Sequence, residues 1–316
     1  PYCDSFDLKL KCLSRSRSRS KRKIVENNNP TTMSLKPEKI IEFNLKGKKR
    51  NRLSEYFQSN DCLCISGNVN IYILNSYFKF SKKEANIVDS LSVSAIKWLD
   101  LNLISYSNSC HLFVKDTEKN MYLRKLELKT QMNKNICSID YLNSQNMTFC
   151  GDNKGHIFLI DLRARDYIQE ITKYHNDEIV EIKSNKNYFL GTVGNDMFIK
   201  FIDIRNMNTM NKLNVNNKVR NIEWISESKI YYADSKKRNL HSVNCNSLKT
   251  HKQGLSLNVY DMMFHSNASN LVMVGRDDLK KKSILYYLNV TENKSTKIFI
   301  ENKKPLEIIA NQNVDI

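Results

Sequence analysis

Six histidines, eight cysteines and one adjacent pair of acids are the residues through which this chain could do chemistry. None of His111, His156, His175, His241, His251 and His265 pairs with another at the helical spacing of a metalloprotease. None adjoins a Gly-x-Ser-x-Gly nucleophile turn either. The cysteines include no Cys-x-x-Cys pair. Cys62 and Cys64 stand two apart in what reads as a strand, which is not the Cys-x-x-Cys spacing of a zinc pair, so they share a metal poorly. Cys137 and Cys150 read as small buried apolar residues, and reduced core thiols are expected. Asp277-Asp278 offers a metal or acid pair, but Lys280-Lys281-Lys282 follows, and a mixed-charge loop is the simpler reading. The eight glycines form no phosphate cradle; Gly151, Gly155, Gly191 and Gly194 read as β-turn markers. The expectation is a non-enzymatic protein needing no metal or cofactor.

The elements that position these residues are short and repetitive. His175-Asn176-Asp177-Glu178-Ile179-Val180-Glu181-Ile182 leads to Tyr188-Phe189-Leu190-Gly191-Thr192-Val193-Gly194-Asn195-Asp196, and then to Phe198-Ile199-Lys200-Phe201-Ile202-Asp203-Ile204-Arg205. That order predicts three strands separated by turns, with apolar alternation at 179–182 and in the last segment. The preceding unit follows the same plan from Ile136 to Asp161-Leu162-Arg163, so the endings Ile-Asp-Leu-Arg and Ile-Asp-Ile-Arg match. Weaker copies open at Val93, Val219 and Val259, each with an aromatic residue five positions on: Trp98, Trp224 and Phe264. Openings at 93, 136, 179, 219 and 259 are 40 or 43 residues apart. Several short strands per unit at about this spacing predict a β-propeller, since a helical repeat would need long runs at a 3.6-residue period.

Around this body the composition is uneven. Residues 1–52 hold 15 Lys and Arg against 5 Asp and Glu, so +10 of the net +17 lies there. The run Ser14-Arg15-Ser16-Arg17-Ser18-Arg19-Ser20-Lys21-Arg22-Lys23 buries no apolar surface and predicts a disordered basic tail over residues 1–38, with the propeller over 39–316. The tail suits RNA binding, phosphate acceptance or nuclear import, and equally a solvated segment with no dedicated partner. No apolar run reaches the length of a membrane span, and no secretory pattern opens the chain. An intracellular protein, in nucleus or cytoplasm, without membrane contact is expected. Six units fit between 53 and about 300. An exposed edge strand would invite pairing with other chains, so the ring must close. Either six blades close it, or the chain is truncated in a seventh unit starting at Leu306–Ile309, or the Ile40–Leu45 strand helps complete a reduced seventh blade. An atypical seven-bladed ring is expected.

The units resemble WD repeats, whose pattern runs Gly-His, two strands, a Gly-x-Asp turn, a strand and Trp-Asp. His175, Thr192 and Asp196 sit where that family places a hydrogen-bonded structural network within the blade. Ile202 stands in the place of the family's Trp, so the resemblance implies an incomplete network.

Residues 136–205 further resemble the central blades of the Fizzy-type activators of the anaphase-promoting complex, in which a Gly-Gly-Asn-Asp-Asn turn helps hold Lys-Glu-Asn degradation motifs. The turn here is Val193-Gly194-Asn195-Asp196-Met197, so Asn195 carries over as a peptide-motif-binding residue and Met197 replaces the second Asn. The resemblance implies an adaptor bringing motif-bearing substrates to ubiquitin ligase subunits in cell-cycle control. The chain lacks the Asp-Arg-[Tyr/Phe]-Ile-Pro box and terminal Ile-Arg through which that family engages the ligase. The alternative, from the Arg-Ser run and basic balance, is a WD-repeat scaffold of a ribonucleoprotein or ribosome-assembly complex.

Overall fold

The computed structural model describes residues 54–57, 62–66, 71–74, 86–89 and 93–300, the last stretch without 101, 129–134, 164–167, 186–187, 235–237, 256, 266–268, 278–281 and 293. The expected tail and both strands expected for a seventh blade lie outside the described residues.

Among the described residues, six antiparallel sheets of four strands follow one another along the chain, each a meander with its strands in chain order. The first holds β1 (Ser54–Phe57), β2 (Cys62–Ser66), β3 (Ile71–Leu74) and β4 (Asn86–Asp89). The second holds β5 (Ala95–Asp100), β6 (Leu103–Asn108), β7 (His111–Asp116) and β8 (Met121–Glu127). The third is β9 (Ile136–Leu142), β10 (Met147–Asp152), β11 (His156–Asp161) and β12 (Ile168–Lys173). The fourth is β13 (Ile179–Ser184), β14 (Phe189–Gly194), β15 (Phe198–Asp203) and β16 (Asn208–Asn214). The fifth runs through β17 (Val219–Ser226), β18 (Lys229–Asp234), β19 (Asn239–Asn244) and β20 (Thr250–Gly254). The sixth runs through β21 (Asn258–His265), β22 (Asn270–Asp277), β23 (Lys282–Asn289) and β24 (Lys294–Ile300). The first strands of successive sheets pack side by side, β1 on β5, β5 on β9, and so on to β21. The sheets are therefore the blades of a propeller of the WD-repeat type, with first strands at the axis and fourth strands at the rim. Among the described residues the one helical element is a 3₁₀ turn at Asn143–Gln145, and no helix is long and apolar enough to cross a membrane.

The repeat spacing has a packing cause. The opening residues Val93, Ile136, Ile179, Val219 and Val259 are all buried, and so are Ile96, Ile139, Ile182, Ile222 and Met262 three positions on. A three-residue interval does not suit a regular strand, whose faces alternate every two. The simple alternation expected at 179–182 is accordingly broken: the β13–β14 register shifts between Ile179 and Glu181, and β17 and β21 shift at the corresponding place. In these three blades the bulge lets both apolar residues of the pair face the core. That core lies between blades. One apolar cluster joins the second and third blades, another the third and fourth, and the largest spans the fourth to sixth. Each fully buried Ile, Leu or Phe there contributes about 1.5–3 kcal/mol.

Polar ties repeat with the same period. Ser138 Oγ donates to Ile179 O (3.1 Å), Ser184 N and Oγ to Asp140 Oδ2 (both 2.6 Å), Trp224 Nε1 to Lys183 O (2.9 Å) and Asn221 Nδ2 to Asp261 Oδ1 (2.8 Å). Every one links neighbouring blades. The third strands end alike on an Asx residue: Asp116, Asp161, Asp203, Asn244 and Asn289. The Oδ1 of each accepts the backbone N–H two residues on. An Asx-turn thus closes five successive blades. The matching Asp-x-Arg endings go further, because Arg163 and Arg205 grip Asp161 and Asp203 through Nε and a terminal nitrogen. Three of the four glycines expected at turns lie within strands instead, Gly194 as the last residue of β14. Gly151 is in β10, and Gly191 is in β14, where a Cβ would come within 2.9 Å of Ile222 Cδ1 in the next blade.

Candidate functional site

The loops between blades and the turns joining second to third strands share one end of the propeller. In the fourth blade these are 174–178 and 194–197. His175, 1% exposed, joins them. Its Nδ1 lies 2.9 Å from Asp196 Oδ1, and its Nε2 lies 2.8 Å from Thr192 Oγ1. Asp196 also accepts the Asn176 and Phe198 amides at 2.9 and 3.3 Å. Burial opposes a charge on Asp196, but the two amides and His175 outweigh it and hold its carboxyl below the usual range. Burial lowers the His175 pKa despite Asp196, and the nearby Lys200 lowers it further. A neutral imidazole then donates from Nδ1 to Asp196 and accepts at Nε2 from Thr192.

Hydroxyl, imidazole and carboxylate in that order have the connectivity of a hydrolytic triad. Here the hydroxyl has nowhere to act. Thr192 and His175 are both buried, and Ile202 is fully buried with no donor to extend the chain of bonds. What the three residues do here is tie the loop before β13 to the turn after β14 by hydrogen bonds. Weaker versions occupy the same place in other blades, where Asn217 Nδ2 donates to Asp234 Oδ2 (2.7 Å) and Asn135 N to Asn153 Oδ1 (3.0 Å).

Asn195 sits at the tip of this arrangement, half-buried. Its backbone N donates to Glu178 O at 2.8 Å and its Nδ2 to Glu178 Oε2 at 2.9 Å, which fixes the side chain on the loop face. Its Oδ1 accepts no hydrogen bond among the described residues. Met197 beside it has a positive φ of 65° and is 42% exposed. Cys137, expected to be buried, is half-buried at the start of the neighbouring blade; burial first, then the Glu178 carboxylate, push its thiol up. Cys150 is fully buried, as expected. Asp277 ends β22, and Asp278 to Lys281 lie outside the described residues. Between the fourth and fifth blades the same face has a cavity of about 310 Å³ lined by Asn214, Asn217, Asp234, His241 and Lys252.

The axis carries charges that spacing alone did not bring together. Lys97 (β5) lies 3.3 Å from Asp140 (β9), and Lys183 (β13) lies 3.7 Å from Glu181 and 3.0 Å from Glu223 (β17). Lys97 of the second blade also acts on Glu223 of the fifth, so these side chains converge on the central channel. A single ammonium cannot neutralise two carboxylates. Burial in the narrow channel, with Asp261, Glu223 and Asp140 as like-charged neighbours, pushes Glu181 up to about 8 against the pull of Lys183. A carboxyl whose folded pKa is raised contributes stability fully present below its unfolded pKa and lost as pH rises through about 8. Glu181→Gln should therefore leave stability nearly unchanged in mild acid and raise it by about 1–2 kcal/mol in alkali. Urea unfolding on both sides of pH 8 tests this; parallel curves for the two proteins would refute it.

No family model matches the chain, and no curated protein matches it. Among solved structures it is similar to a chain in the crystal structure of a mitotic checkpoint complex, with a TM-score of 0.66, 13% identity and 81% of each chain covered. At that identity the likeness concerns the fold alone: this chain is built as a WD-repeat type β-propeller.

Proposed function

We propose that this protein is a non-enzymatic adaptor of the Fizzy type, recruiting substrates that carry Lys-Glu-Asn motifs to the anaphase-promoting complex. The observation that carries the reading is Asn195. Its side chain is clamped on the loop face by Glu178, with Oδ1 left to accept an N–H from a bound peptide. Asp177 and Glu178 alongside supply negative charge for the lysine of such a motif. The likeness to a chain of a mitotic checkpoint complex supports the cell-cycle setting. The alternative, a ribonucleoprotein scaffold, rests on the Arg-Ser run, which lies outside the described residues.

Binding of a labelled Lys-Glu-Asn peptide, followed by fluorescence polarisation against a scrambled control, tests the adaptor reading. Asn195→Ala should weaken binding about tenfold, the worth of one buried hydrogen bond. Equal binding of both peptides, or of both proteins, would sink it. Co-purification of ligase subunits with the tagged protein is the cellular counterpart. RNA recovered without those subunits, and lost at raised salt, would favour the scaffold.

A further inference from the structure

The second blade brings three metal-binding side chains together at the turn between β6 and β7. Cys110 Sγ, a ring nitrogen of His111 and a carboxylate oxygen of Glu127 all lie within 4.8 Å of one another. From this juxtaposition we propose a zinc site with three protein ligands and a fourth position open to solvent.

The backbone explains why residues adjacent in sequence converge. Neighbours in a strand point to opposite faces, but Cys110 belongs to the turn, and Ser109 before it has a φ of 54°. The turn is tied from both sides: Ile136 N donates to Ser109 O at 2.9 Å and Leu128 N to Cys110 O at 3.0 Å. The second tie brings the end of β8 to the cysteine. Register does the rest, since His111 on β7 is the direct partner of Glu127 on β8. The imidazole packs at 6.1 Å on the Phe113 ring, which limits its orientation.

Distances and donor types suit zinc. With zinc–sulfur and zinc–nitrogen bonds of about 2.3 and 2.05 Å at a tetrahedral angle, the sulfur–nitrogen edge is about 3.5 Å. Cys110 Sγ and His111 Nδ1 stand 3.6 Å apart. Glu127 is exposed and can close the remaining gap by a change of rotamer. A thiolate and a carboxylate balance the charge of the divalent ion, and sulfur with imidazole favours zinc over the oxygen-seeking calcium and magnesium. Three other cysteines, Cys137, Cys150 and Cys245, are placed differently. Burial pushes the thiols of Cys137, Cys150 and Cys245 up, which disfavours the thiolate a metal needs. A cluster of one cysteine, one histidine and one glutamate from two strands and a turn has none of the Cys-x-x-Cys, paired-histidine or paired-acid spacings that mark a metal site in sequence.

The test is titration of the full chain with cobalt(II) under reducing conditions, followed by displacement with zinc. The wild-type protein should give a thiolate-to-cobalt charge-transfer band in the near ultraviolet that zinc abolishes. The band should vanish in Cys110→Ser, and His111→Ala and Glu127→Gln should weaken cobalt binding by at least about tenfold. As a readout independent of variant folding, zinc should protect Cys110 of the wild-type chain from alkylation, mapped by mass spectrometry. No band in the wild type, a band unchanged in Cys110→Ser, or Cys110 alkylated equally with and without zinc would each overturn the site.

Discussion

Gly155→Ala should destabilise the protein by about 3 kcal/mol or more, the largest loss expected from adding a single methyl group. Gly155 has a φ of +89°, which L side chains rarely adopt. A Cβ there would lie 1.9 Å from His175 O and 2.5 Å from His175 C, so the obstacle is backbone. That backbone is held in place: Gly155 O accepts from Tyr174 N at 2.8 Å and from His175 N at 3.0 Å. Relief would mean moving the loop that carries His175 away from the third blade, with loss of both bonds. Gly254→Ala is the control, because a Cβ there meets nothing within 4 Å, and its change should stay within about 0.5 kcal/mol. Chemical denaturation of the three proteins decides the matter. A Gly155 variant within about 1 kcal/mol of wild type would show that the loop yields easily.

The contrast between those glycines marks what could be read in advance. All four between 151 and 194 were expected at turns because glycine is common there, yet Gly151 and Gly191 serve a neighbouring blade. Their reason is contact between residues far apart in sequence, which no local rule contains. The repeat itself was legible. Openings at 93, 136, 179, 219 and 259 are buried positions, and each blade must bury them against the next. The fourth strands were not. β16 (Asn-Thr-Met-Asn-Lys-Leu-Asn) and β20 (Thr-His-Lys-Gln-Gly) are mostly exposed rim strands with one bonded neighbour, so they lack the apolar signal that identifies an inner strand. The closing Asx residues were visible only where Arg followed, at Asp161 and Asp203. Aligned on third-strand ends, all five would have been found.

Chemistry was harder to read than architecture, for the same reason. Lys97, Asp140, Glu181, Lys183 and Glu223 are scattered over three repeat periods, and each alone reads as a charge beside apolar residues. A bulge near the start of a first strand puts apolar residues toward the blades and leaves the charges to the axis. Glu127 stands 16 residues after His111 and meets it only through the β7–β8 register. Asn195 was found from a turn motif, and its hold on Glu178 depends on a loop that comes from the preceding blade.

His175→Ala should cost about 3 kcal/mol, through what it leaves behind as much as what it removes. Asp196 would lose one of its acceptor bonds and Thr192 its 2.8 Å partner, both where water is scarce. Thr192 has only a weak substitute, Lys200 O at 3.5 Å. The size of the loss should depend on pH, and its sign follows from the lowered folded pKa. Burial disfavours imidazolium in the fold, whereas the unfolded chain protonates its histidine near about 6.5. The stability His175 contributes is thus present above that value and lost as pH falls through the lowered folded pKa. Asp196, held below the usual carboxyl range, loses its contribution only on further acidification. Wild type should weaken steadily from neutrality into mild acid, and His175→Ala should lack the histidine part of that slope, so the two curves converge. Denaturation midpoints at several pH values between neutrality and mild acid would reveal it. A gap that stays constant would mean the imidazole acts by packing alone. A gap that widens in acid would mean it is protonated in the folded protein, with Nε2 donating to Thr192 and the hydroxyl turned toward Lys200 O.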